Sequence, residues 1–120
     1  YGWLGWEGQD MEAVIDLGSA KTVRRVSVDG LQDIGAWVFM PLGIDVEVSV
    51  DGDHFTQMGS ASVATDERQA GVRTERFNLD MTPTTARYVK VLLRNRKACP
   101  PWHGGAGGKA WIFTDEIVIE

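Results

Sequence analysis

Strict alternation of apolar and polar side chains is the feature that most limits how this chain can fold. Residues 44–50 read IDVEVSV, so every second residue is apolar. A period of two predicts a strand with one buried face. Asp51-Gly52 follows as a turn dipeptide and Phe55 opens the next segment, which indicates a hairpin at this point.

The same alternation returns along the rest of the chain, and no stretch has the period of an amphipathic helix. Six or seven strands joined by turns predict an all-β fold, an antiparallel β-sandwich or jelly roll. The apolar faces are Met11, Ala13, Ile15 and Leu17; Val26 and Val28; Phe77 and Leu79; Val89, Val91 and Leu93; and Trp111, Phe113, Ile117 and Ile119.

Length and charge exclude several classes of protein. A chain of 120 residues fits one domain, 1–120. The formal charge of −5 argues against nucleic acid or an anionic membrane as the main partner, because both require a basic face. No apolar run approaches the length that spans a bilayer. Cys99 is the single cysteine, so we expect a small buried or inert thiol.

Three stretches interrupt the alternation: residues 30–43, 57–71 and 95–110. The last contains four glycines in the segment GGAGGK, yet a phosphate-binding loop is excluded. His103 stands where its first glycine should be, and Ala110 replaces the Ser or Thr after the lysine. We therefore expect a loop that uses positive φ angles and close backbone approach.

The interrupting loops carry aromatic rings beside polar side chains. A ring that covers the C–H face of a pyranose, with hydrogen-bonding groups around it, is what a sugar site needs. The alternative is that each ring closes one end of the sandwich. The aromatic residues are Trp37, Phe39 and Trp102, and the polar ones are Gln32, Asp33, Arg94, Asn95 and His103.

No catalytic arrangement emerges from the sequence. Asp115 and Glu116 are adjacent in a predicted strand, so their side chains should leave opposite faces. His54 follows a turn, where we expect it to be exposed. Trp111 and Phe113 are expected in the core. The chain is therefore predicted not to be an enzyme.

Several ordered segments resemble the discoidin, or coagulation-factor type C, domain, and more closely the family 32 carbohydrate-binding modules. Two further segments, residues 31–41 and 101–111, are similar to the C-terminal module of bacterial family 20 β-N-acetylhexosaminidases, the chitobiases. The segments that carry the general resemblance are EAVIDLG at 12–18, VSV at 26–28, VEVSVDGDHF at 46–55, ARYVKV at 86–91 and DEIVI at 115–119.

The resemblance implies a galactose-binding-domain-like jelly roll that is one module of a larger bacterial glycosidase. It would bind glycans with terminal galactose, N-acetylgalactosamine or N-acetylglucosamine and have no activity of its own. The alternative is a structural accessory domain that packs on the catalytic domain. Lipid or protein adhesion is a third reading, which the net charge disfavours for membranes. The expected ligand contacts are Trp37, Asn95, Trp102 and His103, followed by Gln32, Asp33, Phe39 and Arg94.

The resemblance also implies a structural calcium ion in many members, with Glu116 at the position of one ligand. Asp10 is the single acid near the other ligand positions, so the sequence does not require the ion. The first strand of the family is expected to be missing. A glycosidase parent implies a periplasmic, cell-surface or secreted protein.

Overall fold

The computed structural model describes residues 4–62 and 71–120, and it confirms the all-β prediction. In this part of the chain the helical content is one 3-10 turn, Ile34–Ala36, and no helix is long and apolar enough to cross a bilayer. The strands form one antiparallel sheet in the order β1-β6-β2-β5-β3-β4. They are β1 Leu4–Glu7, β2 Met11–Gln32, β3 Gly43–Ser49, β4 Thr56–Ser62, β5 Arg73–Arg94 and β6 Trp111–Ile119.

Two long strands run through both layers of the sandwich. The first part of β2 pairs with the last part of β5, Met11 opposite Leu93, and this part of β5 also pairs with β3. The remainder of β2 pairs with the start of β5, Gln32 opposite Arg73, and with β6. Register shifts interrupt β2 in between, and such irregularities bend and twist a strand. The sheet therefore folds back on itself as a β-sandwich.

The main core lies between these two layers. The apolar residues of β3, of the first part of β2 and of the last part of β5 lie side by side in one layer, as the period of two predicts. They form one cluster with apolar residues of the other layer, such as Val28 and Leu79. Trp6, on β1, packs against the edge of this core. The buried members are Met11, Val23, Val26, Val28, Ile44, Val46, Val48, Leu79, Ala86, Val89, Val91, Leu93 and Ile112.

The end of the chain departs from the predicted pattern. Ile112 and Thr114 are buried, whereas Trp111 and Phe113 are half-buried on the outer face, with ring centroids 5.6 Å apart. The prediction that these two rings share a face with Ile117 was wrong. The reason is a β-bulge: Val28 pairs with Ile117 but Gly30 pairs with Thr114, so two residues of β6 face one of β2.

The turn between β3 and β4 is organised by one carboxylate. Asp51 Oδ1 accepts hydrogen bonds from the backbone N–H groups of His54 and Asp53 and from the Ser49 hydroxyl, at 2.8–2.9 Å. These donors, led by the His54 backbone N–H, hold the pKa of Asp51 far below its ordinary value. The His54 side chain is 90% exposed, which confirms its predicted position in an open turn.

The predicted loop 57–71 is replaced at its start by β4. Thr56–Ser62 pairs with β3, with a register shift between Val46 and Glu47. The sequence did not predict this strand, because its side chains are mostly small or polar and its apolar face is short. The remainder of the predicted loop, residues 63–70, lies outside the described residues.

Candidate functional site

Two loops meet at one end of the sandwich: residues 33–42, between β2 and β3, and residues 95–110, between β5 and β6. Trp111 N–H donates to the Trp37 carbonyl at 2.9 Å, and Phe39 N–H donates to the Trp111 carbonyl at 3.0 Å. The first loop therefore extends the sheet beside the start of β6. We call this region the loop end.

A second hydrophobic cluster fills the loop end, separate from the main core. It consists of Phe39, Cys99 and Ala110, with Ile34 and Trp102 packed against them, and we call it the loop cluster. Cys99 is buried, and this burial raises the pKa of its thiol. The predicted burial of the cysteine is confirmed.

Residues 104–108, which we call the glycine loop, pack against the Trp37 ring. A Cβ atom added at Gly105 or at Gly108 would lie 2.5 Å from atoms of that ring. Only residues without a Cβ allow this approach. Gly107 has a φ of 82°, so both expected properties of this loop, positive φ and close approach, are confirmed.

Trp37 is the most exposed ring of the loop end. The residue is 40% exposed, and its backbone is in the left-handed conformation with φ 66° at the end of the 3-10 turn. That conformation is unusual for a bulky residue. The hydrogen bond from Trp37 N–H to the Ile34 carbonyl, at 3.1 Å, closes the turn. The ring is thus fixed by its own turn and by the opposite loop.

His103 occupies the centre of the aromatic rings. Its ring centroid lies 6.0 Å from that of Trp37, 5.5 Å from Phe39 and 5.9 Å from Trp102, each with a tilted or edge-on geometry. Nε2 lies 2.5 Å from the Ile34 carbonyl oxygen, and Nδ1 lies 2.8 Å from Gly105 N. Both ring nitrogens are therefore engaged by backbone groups.

Asn95 is buried and ties three chain segments together. Its Nδ2 donates to the carbonyls of Trp6, Gln9 and Ala110 at 2.9–3.3 Å, and its Oδ1 accepts from Lys97 N–H at 2.7 Å. Its backbone N–H donates to Asp10 Oδ1 at 2.8 Å. The hydrogen-bonding capacity of this amide is used within the chain.

Comparison of the sequence with protein families gives a match over residues 1–112 to the model described as F5/8 type C domain. The chain belongs to this family. The predicted discoidin, or coagulation-factor type C, resemblance is thereby confirmed. Comparison with curated protein sequences gives no match.

Solved structures of carbohydrate-binding modules share the fold of this F5/8 type C domain. The family 32 carbohydrate-binding module of AlyQ in complex with 4,5-unsaturated mannuronic acid has a TM-score of 0.60 and 19% identity, covering 98% of this chain and 76% of that one. A pectin-binding carbohydrate-binding module has a TM-score of 0.61 and 14% identity, covering 98% and 70%. The C-terminal domain of a chitobiase from Bacteroides fragilis has a TM-score of 0.54 and 16% identity, covering 92% and 65%.

The remaining predicted contacts of the F5/8 type C domain separate into three groups. Gln32 and Phe39 are buried, with exposures of 0% and 2%. Arg94 faces away from the loop cluster, because its Nη2 donates to the Ala61 carbonyl at 3.2 Å beside Asp45. Asp33 is half-buried at the start of the 3-10 turn. The loop end thus brings together Trp37, Trp102, His103 and Asp33.

Two open clefts lie apart from these residues. One, of about 340 Å³, borders the β3–β4 turn and includes His54 and Met58. The other, of about 330 Å³, includes Asp29, Arg76 and Asp115 on the outer face of the sheet. Neither cleft is lined by a residue that the sequence predicted to contact ligand.

Glu116, which the resemblance places at the position of a calcium ligand, lies beside an arginine. Glu116 Oε2 lies 3.4 Å from Arg76 Nη2, and Arg76 Nε donates to Asp29 at 2.8 Å. Asp29 and then Glu116 raise the pKa of Arg76. Among the residues in 4–62 and 71–120, no three His, Cys, Asp or Glu side chains are grouped to hold a metal.

The bulge in β6 also changes the relation between the two adjacent acids. Asp115 lines the cleft that contains Arg76, and Glu116 pairs with the same arginine. The predicted placement on opposite faces holds for a regular strand and was wrong here, because a bulge places two consecutive residues opposite one.

Sequence reasoning missed the residues that support the exposed ring. Ile34 supplies a carbonyl to His103 and to the turn before Trp37. Gly105 supplies both an N–H group to His103 and the open space against the Trp37 ring. The glycine-rich composition signalled close backbone approach, but nothing in the sequence identified the ring that approaches.

Proposed function

We propose that this F5/8 type C domain is a non-catalytic carbohydrate-binding module, with its ligand site at the loop end. The observation that carries the proposal is that Trp37 is 40% exposed while its ring packs against Gly105 and Gly108. An aromatic face held in one orientation covers the apolar side of a sugar ring at little cost in side-chain freedom.

Polar groups near Trp37 supply the directional part of recognition. The Asp33 carboxylate makes no capping hydrogen bond to the adjoining 3-10 turn, so it is placed to accept hydrogen bonds from sugar hydroxyls. Trp102 is half-buried, and its ring lies beside that of His103. Asn95 supports the loop backbone from inside and does not contact the ligand in this proposal.

The ligand we propose is a glycan with a terminal galactose, N-acetylgalactosamine or N-acetylglucosamine. The neighbours that share the fold include a complex with an unsaturated mannuronic acid and a pectin-binding module, which supports a saccharide as the ligand class. A one-sugar site of millimolar affinity corresponds to about −4 kcal/mol.

The parent protein we propose is a glycosidase of the chitobiase type, acting in the periplasm, at the cell surface or in the medium. The Bacteroides fragilis chitobiase domain supports this assignment through its fold. Attachment to a catalytic domain would compensate for weak binding by raising the local substrate concentration.

Calorimetric titration with galactose, N-acetylgalactosamine, N-acetylglucosamine and chitobiose tests the proposal. Saturable heat with one of them that is lost in Trp37→Ala and reduced in Trp102→Ala is the expected result. Leu42→Ala is the matched control, because Leu42 is an exposed apolar residue of the same loop, at 45%. Equal sugar affinity of Trp37→Ala and the unsubstituted domain would show that the loop end is not the ligand site.

One observation favours a second candidate, a structural accessory domain. Asn95 and His103, two of the predicted polar contacts, make their hydrogen bonds within the chain. In this alternative Trp37 and Leu42 pack against a catalytic domain. Absence of sugar binding by the folded domain, together with lower stability of the full-length enzyme in the Trp37→Ala variant, would favour it.

A further inference from the structure

His103 joins the two loops of the loop end through the two nitrogens of its ring. Nε2 contacts the Ile34 carbonyl of the first loop, and Nδ1 contacts the N–H group of Gly105 in its own loop. We infer that His103 is a positioning residue, which in its neutral form fixes Gly105 against Trp37 and so makes ligand binding at this site sensitive to acid.

The partners of the ring determine its tautomer. The backbone N–H of Gly105 can only donate, so Nδ1 must accept and carries no proton. The carbonyl of Ile34 can only accept, so Nε2 carries the proton and donates. One neutral tautomer satisfies both contacts, and the other satisfies neither.

Protonation changes one of these contacts and leaves the other. The imidazolium ion has N–H groups at both positions, so Nδ1–H would face the N–H of Gly105 and that hydrogen bond would be lost. The contact with Ile34 remains, because Nε2–H still donates. Acid therefore acts on the glycine loop and not on the 3-10 turn.

Displacement of Gly105 reaches the proposed ligand site directly. An added Cβ at Gly105 would lie 2.5 Å from the Trp37 ring, so there is no free space between the two. A shift of this backbone moves the surface against which the Trp37 ring packs. The main core, which is a separate cluster, stays intact.

Other charged groups around the loop cluster have separate positions. Asp33 begins the 3-10 turn, and Arg96 lies over the Phe39 ring with its guanidinium carbon 5.4 Å from the centroid. Cys99 is buried, and its pKa is raised by that burial. The His103 ring differs from these groups in that it contacts a backbone carbonyl of the other loop, that of Ile34.

The first test follows the backbone amides of Gly105 and Trp37 by NMR as pH falls from about 8 to about 5, the interval in which histidines ordinarily change charge. The Gly105 amide and the Trp37 indole should shift together with the His103 ring, while the amide of Trp37, bonded to Ile34, changes little. This measurement needs no ligand, so it stands even if the proposed sugar binding fails.

The second test rests on the proposed function and uses a pair of variants. Asn in His103→Asn offers an oxygen near the position of Nδ1 to Gly105, whereas Gln in His103→Gln reaches toward Ile34 as Nε2 does. We expect the sugar affinity of the unsubstituted domain to fall about fivefold on acidification, equivalent to about 1 kcal/mol. The affinity of His103→Asn should not depend on pH. His103→Gln should bind about fivefold more weakly at both pH values.

His54→Asn is the control, because His54 is at the exposed β3–β4 turn and bonds only with Asp51 among the described contacts. The sugar affinity of this variant should depend on pH as that of the unsubstituted domain does. The same dependence in His103→Asn, or a Gly105 amide that ignores the titration of His103, would overturn the inference.

Discussion

The residues that the structure describes form two hydrophobic clusters, and these are built in different ways. The main core is formed by alternating residues on paired strands, so its members are placed by the period of the sheet. The loop cluster is formed by Phe39, Cys99 and Ala110 on irregular backbone. Irregular backbone leaves polar groups that need partners, and buried Asn95 and half-buried His103 supply them.

This difference separates stability from the proposed recognition. Truncating a side chain in the main core removes packing between both layers of the sheet. Changing a polar side chain beside the loop cluster, such as that of His103, leaves the layers intact but releases carbonyl and N–H groups at the loop end. The following predictions challenge this separation, from the largest expected effect to the smallest.

Leu93→Ala should cost about 3 kcal/mol of unfolding free energy, because Leu93 is 1% exposed in the main core and its loss leaves a cavity. Urea unfolding monitored by circular dichroism measures this. Leu42→Ala, an exposed apolar truncation, should cost under about 0.5 kcal/mol. Similar costs for the two variants would contradict the position of the core.

Asn95→Ala should cost about 2 kcal/mol, because it removes the donor for the carbonyls of Trp6, Gln9 and Ala110. Asn95→Asp keeps the size but places acceptors against these carbonyls, so it should cost at least as much. Hydrogen exchange should show the loss first at Lys97 N–H in Asn95→Ala, because that amide donates to Asn95 Oδ1. An unchanged free energy of unfolding in Asn95→Asp would show that the hydrogen bonds of this amide do not stabilise the fold.

Gly105→Ala should lower sugar affinity about tenfold, equivalent to about 1.4 kcal/mol of binding free energy, because its Cβ would meet the Trp37 ring at 2.5 Å. The Trp37 indole signal should move in the same variant. Gly104→Ala is the matched control, because no atom lies within 4 Å of the added Cβ. An effect of equal size at Gly104 would indicate general loosening of the loop.

Acid should lower stability slightly through Asp51. Its folded-state pKa is depressed, so its contribution is present above the unfolded value near 4 and is lost as pH falls below that value toward the folded one. Asp51→Asn should flatten the dependence of the melting temperature on pH below about 4. An unchanged slope would show that the turn carboxylate is not linked to folding.

The sheet was predictable where its period is regular. The pattern in Ile44–Val50 predicts β3, which the structure has at Gly43–Ser49 with the expected face buried. The pattern failed in β6, because a bulge at Asp115 and Glu116 reverses the faces halfway along the strand. A bulge depends on pairing with another strand, which the sequence of β6 alone does not reveal.

The loop end was predictable in its residues but not in the contacts that they make within the chain. Trp37, Trp102 and His103 do meet, although they lie in loops separated by three strands of sequence. Asn95 and His103 look like ligand contacts in the sequence because both carry donors and acceptors in a loop. Their partners are backbone groups far away along the chain, such as Trp6 and Ile34, and those pairings arise only when the loops fold.

The long strands β2 and β5 have a consequence for how the chain reaches its native state. Even their nearest pair, Gln32 and Arg73, is separated by about 40 positions, and Met11 and Leu93 by about 80. Neither layer closes through local hairpins alone, so the entropy of loop closure must be overcome before most of the apolar surface is buried. We expect slow folding, on the scale of milliseconds to seconds, with both layers appearing in a single kinetic phase.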